Sequence, residues 1–186
     1  MSSFPQITTE RLFLNQLQVS DIPAIVAYAS DKSISDYTLN LPYPYTEQDA
    51  VYWLNQAHQG FKTKTAYIFA IRLKENNAFA GGLALVPELR HSRAEISYWL
   101  GTPFWNKGYV TEAVNAAIRF GFETLLLHKM TAHYLEGNPA SGRVMEKCGM
   151  TKEGELPDHI QKDGVFHTAV LYGIVNNFRK ASPFQD

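Results

Sequence analysis

The run Trp105-Asn106-Lys107-Gly108-Tyr109-Val110-Thr111-Glu112-Ala113 constrains this chain more than any other stretch. It joins a strand-like segment, residues 94–100, to a helix-like segment that starts near Thr111. A strand, a tight glycine-containing turn and a helix N-terminus in succession gather unpaired backbone N–H groups at one point. The helix dipole adds positive potential there. The sequence therefore predicts an anion site built from backbone amides, and a phosphate-bearing ligand suits it.

The chain's 186 residues are enough for one domain, and at 45% hydrophobic and 13% aromatic it can fill a core. Basic and acidic residues nearly balance, 17 against 18, for a net charge of -1. Without a basic excess, neither nucleic acid nor an anionic membrane is an expected partner. The start, Met1-Ser2-Ser3-Phe4-Pro5, lacks the charged and apolar regions of a signal peptide, and no apolar stretch is long enough to span a bilayer. Cys148 is the single cysteine, which excludes an internal disulfide and fits a reducing, cytoplasmic setting. The six histidines show no ligand spacing, so no metal is expected.

Along the chain, residues 9–17 alternate partly and read as a first strand. Asp21 opens a helical pattern through Ile22, Ile25, Val26 and Ala29. Leu41-Pro42-Tyr43-Pro44-Tyr45 is a proline-punctuated loop, followed by Thr46 and Asp49 at capping-box spacing and a second helix through Ala50, Trp53, Leu54 and Ala57. Residues 67–73, 80–87 and 94–100 read as a three-stranded meander. After Thr111, Ala113, Val114, Ala117, Ile118 and Gly121 form one apolar stripe at 3.6-residue spacing. Residues 130–135 read as a short strand, and Asn138-Pro139 starts a helix that Gly149 closes. Residues 158–161 and 168–174 read as two antiparallel strands around Lys162-Asp163-Gly164. This order predicts a mixed α/β, or α+β, sheet.

Five segments, in order, resemble the GNAT acetyltransferase superfamily, and within it the RimJ/RimL-like ribosomal-protein N-acetyltransferases. They are Thr9-Glu10-Arg11-Leu12; Tyr45-Thr46-Glu47 with Trp53-Leu54; residues 94–100; residues 105–113; and Asn138-Pro139-Ala140-Ser141 with Glu146-Lys147-Cys148-Gly149-Met150. The resemblance implies one domain over residues 1–186, with a mostly antiparallel central sheet, a splayed parallel strand pair and flanking helices. It also implies acetyl-coenzyme A as donor and an amine as acceptor, in a monomer or homodimer.

By the same resemblance, the amides of Asn106, Lys107, Gly108, Tyr109, Val110 and Thr111 hold the pyrophosphate. Trp99, Leu100 and Gly101 lie along the pantetheine, and Asn138 bonds that arm. Ser141 corresponds to the serine that protonates the leaving thiolate, and Tyr43 and Tyr45 belong to the region that lines the acceptor site. Glu95 is a candidate base acting through water, its structural alternative being a solvent-facing edge or a salt bridge with Arg93; His133 occupies a place where some members carry a base. Glu112 would disfavour phosphate unless it points away, with Lys107 as a partial offset.

Three positions depart from the family pattern. Val110 stands at a small position of the loop, Met145 where many members have a proton-donating tyrosine, and Thr168 where the branch often has Asp. Met145 has no proton to give, so that task passes to Ser141, Tyr134 or water. The expected reaction is direct acetyl transfer to a primary amine, foremost a protein N-terminal α-amine. The alternatives are a small-molecule amine acetyltransferase and a coenzyme-A-binding sensor or interaction module without turnover.

Overall fold

A computed structural model describes residues 3–39 and 41–177. The reading of Met1 and Ser2 as part of a non-signal start lies outside the described residues, as does the end of the 1–186 domain span.

The chain opens with β1 (Ile7–Thr8) and β2 (Leu12–Gln16), then α1 (Ile22–Ala29), α2 (Lys32–Ser35) and α3 (Glu47–Thr63). The meander follows as β3 (Tyr67–Leu73), β4 (Phe79–Glu88) and β5 (Arg93–Leu100). Then come α4 (Tyr109–Glu123), β6 (Lys129–Leu135), α5 (Pro139–Lys147), β7 (Thr151–Lys162) and β8 (Val165–Val175). The eight strands of the described residues form one sheet in the order β1-β2-β3-β4-β5-β6-β8-β7.

The mixed sheet has the expected form, with one parallel pair. β5 and β6 are in register only at Arg93↔Lys129, Ala94↔Met130 and Glu95↔Thr131. Beyond Glu95 each strand follows a different neighbour. β4 holds β5 as far as Gly81↔Leu100, while β8 holds β6 as far as Leu135↔Ala169. The sheet splays between them.

Period-2 alternation sorts the strand side chains onto two faces. Phe69, Ile71, Leu83 and Ile96 pack with Ala113, Val114 and Ala117 of α4 and Met145 of α5. Ala70 and Phe79 pack with Ile25 and Ala29 of α1 and Leu54 and Ala57 of α3. β4 passes so close to its neighbours that a Cβ at Gly81 would stand 2.2 Å from the Trp99 carbonyl oxygen, which requires glycine there. Under α1, the Arg72 guanidinium forks onto both oxygens of Asp21 at 2.7 and 2.6 Å, and its Nε donates to Asn15.

Several boundaries differ from the sequence reading. The strand expected over 9–17 starts only at Leu12 and is preceded by a further short strand, β1, because Thr9 turns the chain: its N–H donates to the Leu12 carbonyl, and its hydroxyl accepts from the Leu12 N–H. α2 is an additional short helix, capped by Asp31 onto the Ser33 N–H. α4 starts at Tyr109 rather than near Thr111, since glycine at its N-cap already turns the chain. β7 runs from Thr151, well before the expected 158–161; nearly all of it is exposed, so its sequence carries no apolar alternation. It is also broken between Leu156 and Ile160, where Pro157 sits and Asp158 takes a φ of 49°.

Candidate active site

The splay opens a cleft of about 470 Å³. Its walls come from the end of β5, the loop into α4, one side of α5, and Ile34, Tyr37 and Thr38 around α2.

The β5 wall is backbone. The Gly101 N–H donates to the Ala80 carbonyl on the β4 side. Alternation along an antiparallel ladder therefore turns the N–H groups of Leu100 and Tyr98 to the opposite edge, where registered pairing with β6 has ended. The Leu100 carbonyl on that edge accepts from the Trp105 indole at 2.8 Å. Trp105 thus locks the strand exit, a role that its place at the head of the loop did not disclose.

The loop is shaped by two left-handed residues, Asn106 with φ 59° and Gly108 with φ 77°. Gly108 is the N-cap of α4 and has no side-chain oxygen to spend on the first turn. The first intrahelical bond is Glu112 N–H to the Gly108 carbonyl, so the Tyr109, Val110 and Thr111 amides have no helical acceptor. By contrast, α3 and α5 cap themselves with Thr46 and Asn138. The helix that faces the cleft by its bare N-terminus is the one with glycine, and Asn106, Gly108, Tyr109, Val110 and Thr111 all line the cleft.

Glu112 does point away. Its Oε1 accepts from the Thr9 hydroxyl at 2.5 Å and the Arg11 N–H at 2.8 Å, and its Oε2 from Arg11 Nε at 2.7 Å. The expected offset by Lys107 is therefore corrected: Arg11 supplies it, and Lys107 contributes its backbone carbonyl to Arg11 Nη1 at 2.9 Å. Burial alone would raise the Glu112 pKa, but the Thr9 and Arg11 hydrogen bonds and the Arg11 charge outweigh it and hold the carboxylate low.

On the other wall, Asn138 caps α5 by accepting from the Ser141 N–H at 3.3 Å and donates through Nδ2 to Ser141 Oγ at 3.0 Å. The Ser141 hydroxyl, with its oxygen already accepting, keeps its own hydrogen for a further partner. Tyr98 spans the cleft floor, its hydroxyl donating to the Ser141 carbonyl at 3.1 Å, and burial raises its pKa. Arg143 and Lys147, one helical turn apart, line the cleft and have no ion pair among the described residues. Residue-by-residue reading missed both, although their i,i+4 spacing after Asn138 was a usable signal.

Glu95 and His133 form a pair on the sheet face away from α4, with His133 Nδ1 3.2 Å from Glu95 Oε1. The alternative bridge from Glu95 to Arg93 is not formed; Arg93 bonds Glu88 at 2.6 Å. The hydrogen bond holds Glu95 below and His133 above their ordinary pKa values.

Neither Glu95 nor His133 lines the cleft, and the remaining candidates divide among its wall, the core and the surface. Trp99 contributes to the cleft wall, but its ring packs toward Trp53 and Phe79. Gly101 faces the Tyr28 ring, where a Cβ would come within 2.8 Å. Tyr45 is 5% exposed in the α1–α3 core and its hydroxyl is pushed up to about 12 by burial, so it is a core residue rather than a cleft contact. Tyr43 is exposed, near Lys32, and also outside the cleft lining. Met145 is buried in the core. Cys148 is buried with its thiol pushed up to about 12, which removes it as a nucleophile. Among the described residues no His/Cys/Asp/Glu group could hold a metal ion, and no helix is long and apolar enough to cross a membrane.

A parted parallel strand pair with a bare helix N-terminus at its mouth makes a cleft for an extended ligand with an anionic group, and comparison with known proteins names the class of enzyme. Residues 11–151 match the acetyltransferase (GNAT) domain family, and the chain belongs to it. The uncharacterized N-acetyltransferase YnaD of Bacillus subtilis (strain 168) is 29% identical over 170 residues, covering 91% of this chain and 96% of the relative. The ribosomal protein uS5-alanine N-acetyltransferase of Escherichia coli (strain K12) is 28% identical over 131 residues, covering 69% and 66%. The solved acetyltransferase of the GNAT family from Bacillus anthracis superposes with a TM-score of 0.83 at 27% identity, covering 92% and 98%.

The activity is acetyl-coenzyme A-dependent N-acetyl transfer. The donor suits the cleft: its pyrophosphate matches the amide cluster of residues 109–111, and its amide-bearing pantetheine arm matches an unpaired strand edge.

Proposed function

We propose that the protein acetylates the α-amine of a protein N-terminus by direct attack in a ternary complex. The observation that carries this reading is the cleft's charge: its lining residues include Arg143 and Lys147 but no Asp or Glu among the described residues. A polycationic small amine would be recognised through carboxylates. A free α-amine titrates at about 7.7–8.0, so about a fifth to a third of it is already neutral near physiological pH, and it needs no carboxylate pocket. The sequence similarity to the uS5-alanine N-acetyltransferase supports the same choice.

In this reading the neutral nitrogen attacks the thioester carbonyl carbon. The developing oxyanion is met by the Leu100 N–H on the open β5 edge. The carbon–sulfur bond breaks, and the Ser141 hydroxyl gives its proton to the thiolate. The proton lost by the amine passes through water to the Glu95–His133 pair. A strand rise of ~3.3 Å per residue sets Glu95 about 13 Å from Trp99, which is too far for direct transfer. With Nδ1–H donated to Glu95, Nε2 of His133 carries the accepting lone pair. Asn106, Lys107, Gly108, Tyr109, Val110 and Thr111 would hold the pyrophosphate through their backbone, Asn138 the pantetheine arm, and Arg143 with Lys147 the outer phosphate charge.

The test is thiol release from acetyl-coenzyme A over a panel of N-terminal peptides and small amines. Release with peptides beginning in small residues, and little with small amines, is expected. Release with small amines alone would sink the reading, and donor binding without release on any acceptor would favour a non-catalytic module.

A further inference from the structure

Glu112 poses a problem for an anion site. It is the fourth residue of α4, in the first turn of a helix whose N-terminus faces the cleft. An ionised carboxylate there offsets the helix dipole and repels a phosphate group. Arg11 answers this from the other end of the sequence. Its guanidinium bonds the Glu112 carboxylate through Nε and the Lys107 carbonyl through Nη1, at 2.7 and 2.9 Å. The same group lies over the Tyr109 ring, 4.7 Å from its centroid, and Nη2 stands 3.4 Å from where a Cβ on Gly108 would be. One side chain thus touches residues 107, 109 and 112 and flanks residue 108. The Arg11 backbone N–H and the Thr9 hydroxyl complete the hold on Glu112.

Neither partner lines the cleft. Arg11 is 44% and Glu112 16% exposed, so this is not a surface pair of two free side chains. The turn that Thr9 makes between β1 and β2 presents Arg11 to α4.

We propose that Arg11 and Glu112 form a staple that positions the pyrophosphate loop and sets its charge. Glu112 anchors the loop to the β1–β2 turn, and Arg11 cancels the anchor's charge and fixes the Lys107 carbonyl away from the ligand. Arg11 is a positioning residue and acts on donor affinity, not on the transfer step. The inference rests on acetyl-coenzyme A as donor and is independent of the acceptor.

The test is calorimetric binding of coenzyme A to R11Q, R11K, E112Q and R11Q/E112Q, with thermal melts to show that each is folded. Because it needs no acceptor, its failure is distinct from failure of the acceptor panel. R11Q leaves a bare carboxylate behind the amides and should weaken binding about tenfold, while R11K, which keeps the charge without the fork, should lose less. The double variant, having lost both charges, should recover to within about threefold of wild type. In turnover assays the R11Q defect should fall on KM for acetyl-coenzyme A, with kcat kept. If R11Q binds as wild type, the staple has no role in donor binding. If E112Q weakens binding as much as R11Q, or the double variant is no better than R11Q, the charge argument is overturned.

Discussion

Ser141 and the Glu95–His133 pair hold protons in opposite senses. Ser141 Oγ already accepts from Asn138 Nδ2, so its own hydrogen is directed elsewhere. Ser141→Ala should lower kcat by about 10²-fold and leave coenzyme A affinity within about twofold, since general-acid help of that size is typical. Steady-state kinetics beside calorimetry separates the two, and wild-type turnover would remove Ser141 from the reaction. His133 must be neutral to take a proton, and Glu95 raises its pKa above the ordinary 6.5. The acid limb of kcat/KM should therefore lie above 6.5. Glu95→Gln removes the raising partner and should move the limb downward. The stability signs follow: His133's share is full below its unfolded pKa and lost as pH rises through the raised folded one. Glu95's share is present above 4.5 and lost as pH falls through its lowered folded value. A limb that does not move in Glu95→Gln would rule the pair out as the base.

At the scale of elements, the loop into α4 carries the proposed donor site, and the geometry of its turn was legible. Gly108 between a strand and a 3.6-residue stripe announces a turn, and the amide cluster follows from the backbone alone. Gly108→Ala places a Cβ at φ 77° and 3.4 Å from Arg11 Nη2. The left-handed conformation should cost about 1 kcal/mol, and coenzyme A affinity should fall about tenfold or more as the turn relaxes. A Gly108→Ala variant that binds normally would show that the turn is not selected for its left-handed form. Less legible was whatever depends on long-range partners. Thr9-Glu10-Arg11-Leu12 was readable as a motif, but nothing local says that Arg11 closes on Glu112 across 101 positions. Likewise Tyr45 reads as a loop aromatic and lies in the core, because α2, unmarked by any apolar stripe, helps to cover it.

The molecule as a whole is two subsheets joined by a short parallel ladder. The mixed topology was legible because the meander, the long helix and the closing strands each carry their own periodicity. The extent of β7 was not, because an exposed edge strand has no buried face to pattern it. Past Glu95, the two sides meet through the Tyr98–Ser141 hydrogen bond and the packing of α4 against α5 rather than through strand pairing. A ligand that bonds the β5 edge on one side and Asn138 on the other replaces that missing pairing, and it binds the folded state alone. At 100 times its Kd such a ligand stabilises by about 2.7 kcal/mol. A chain of this size shifts its melting temperature by about 2–4 °C per kcal/mol. Saturating acetyl-coenzyme A should thus raise Tm by roughly 5–10 °C. Asn138→Ala also removes the α5 cap and will lower the starting Tm by its own amount. The telling quantity is the ligand-induced increment, which should shrink in Asn138→Ala if the arm is held there and stay whole if α5 takes no part in binding.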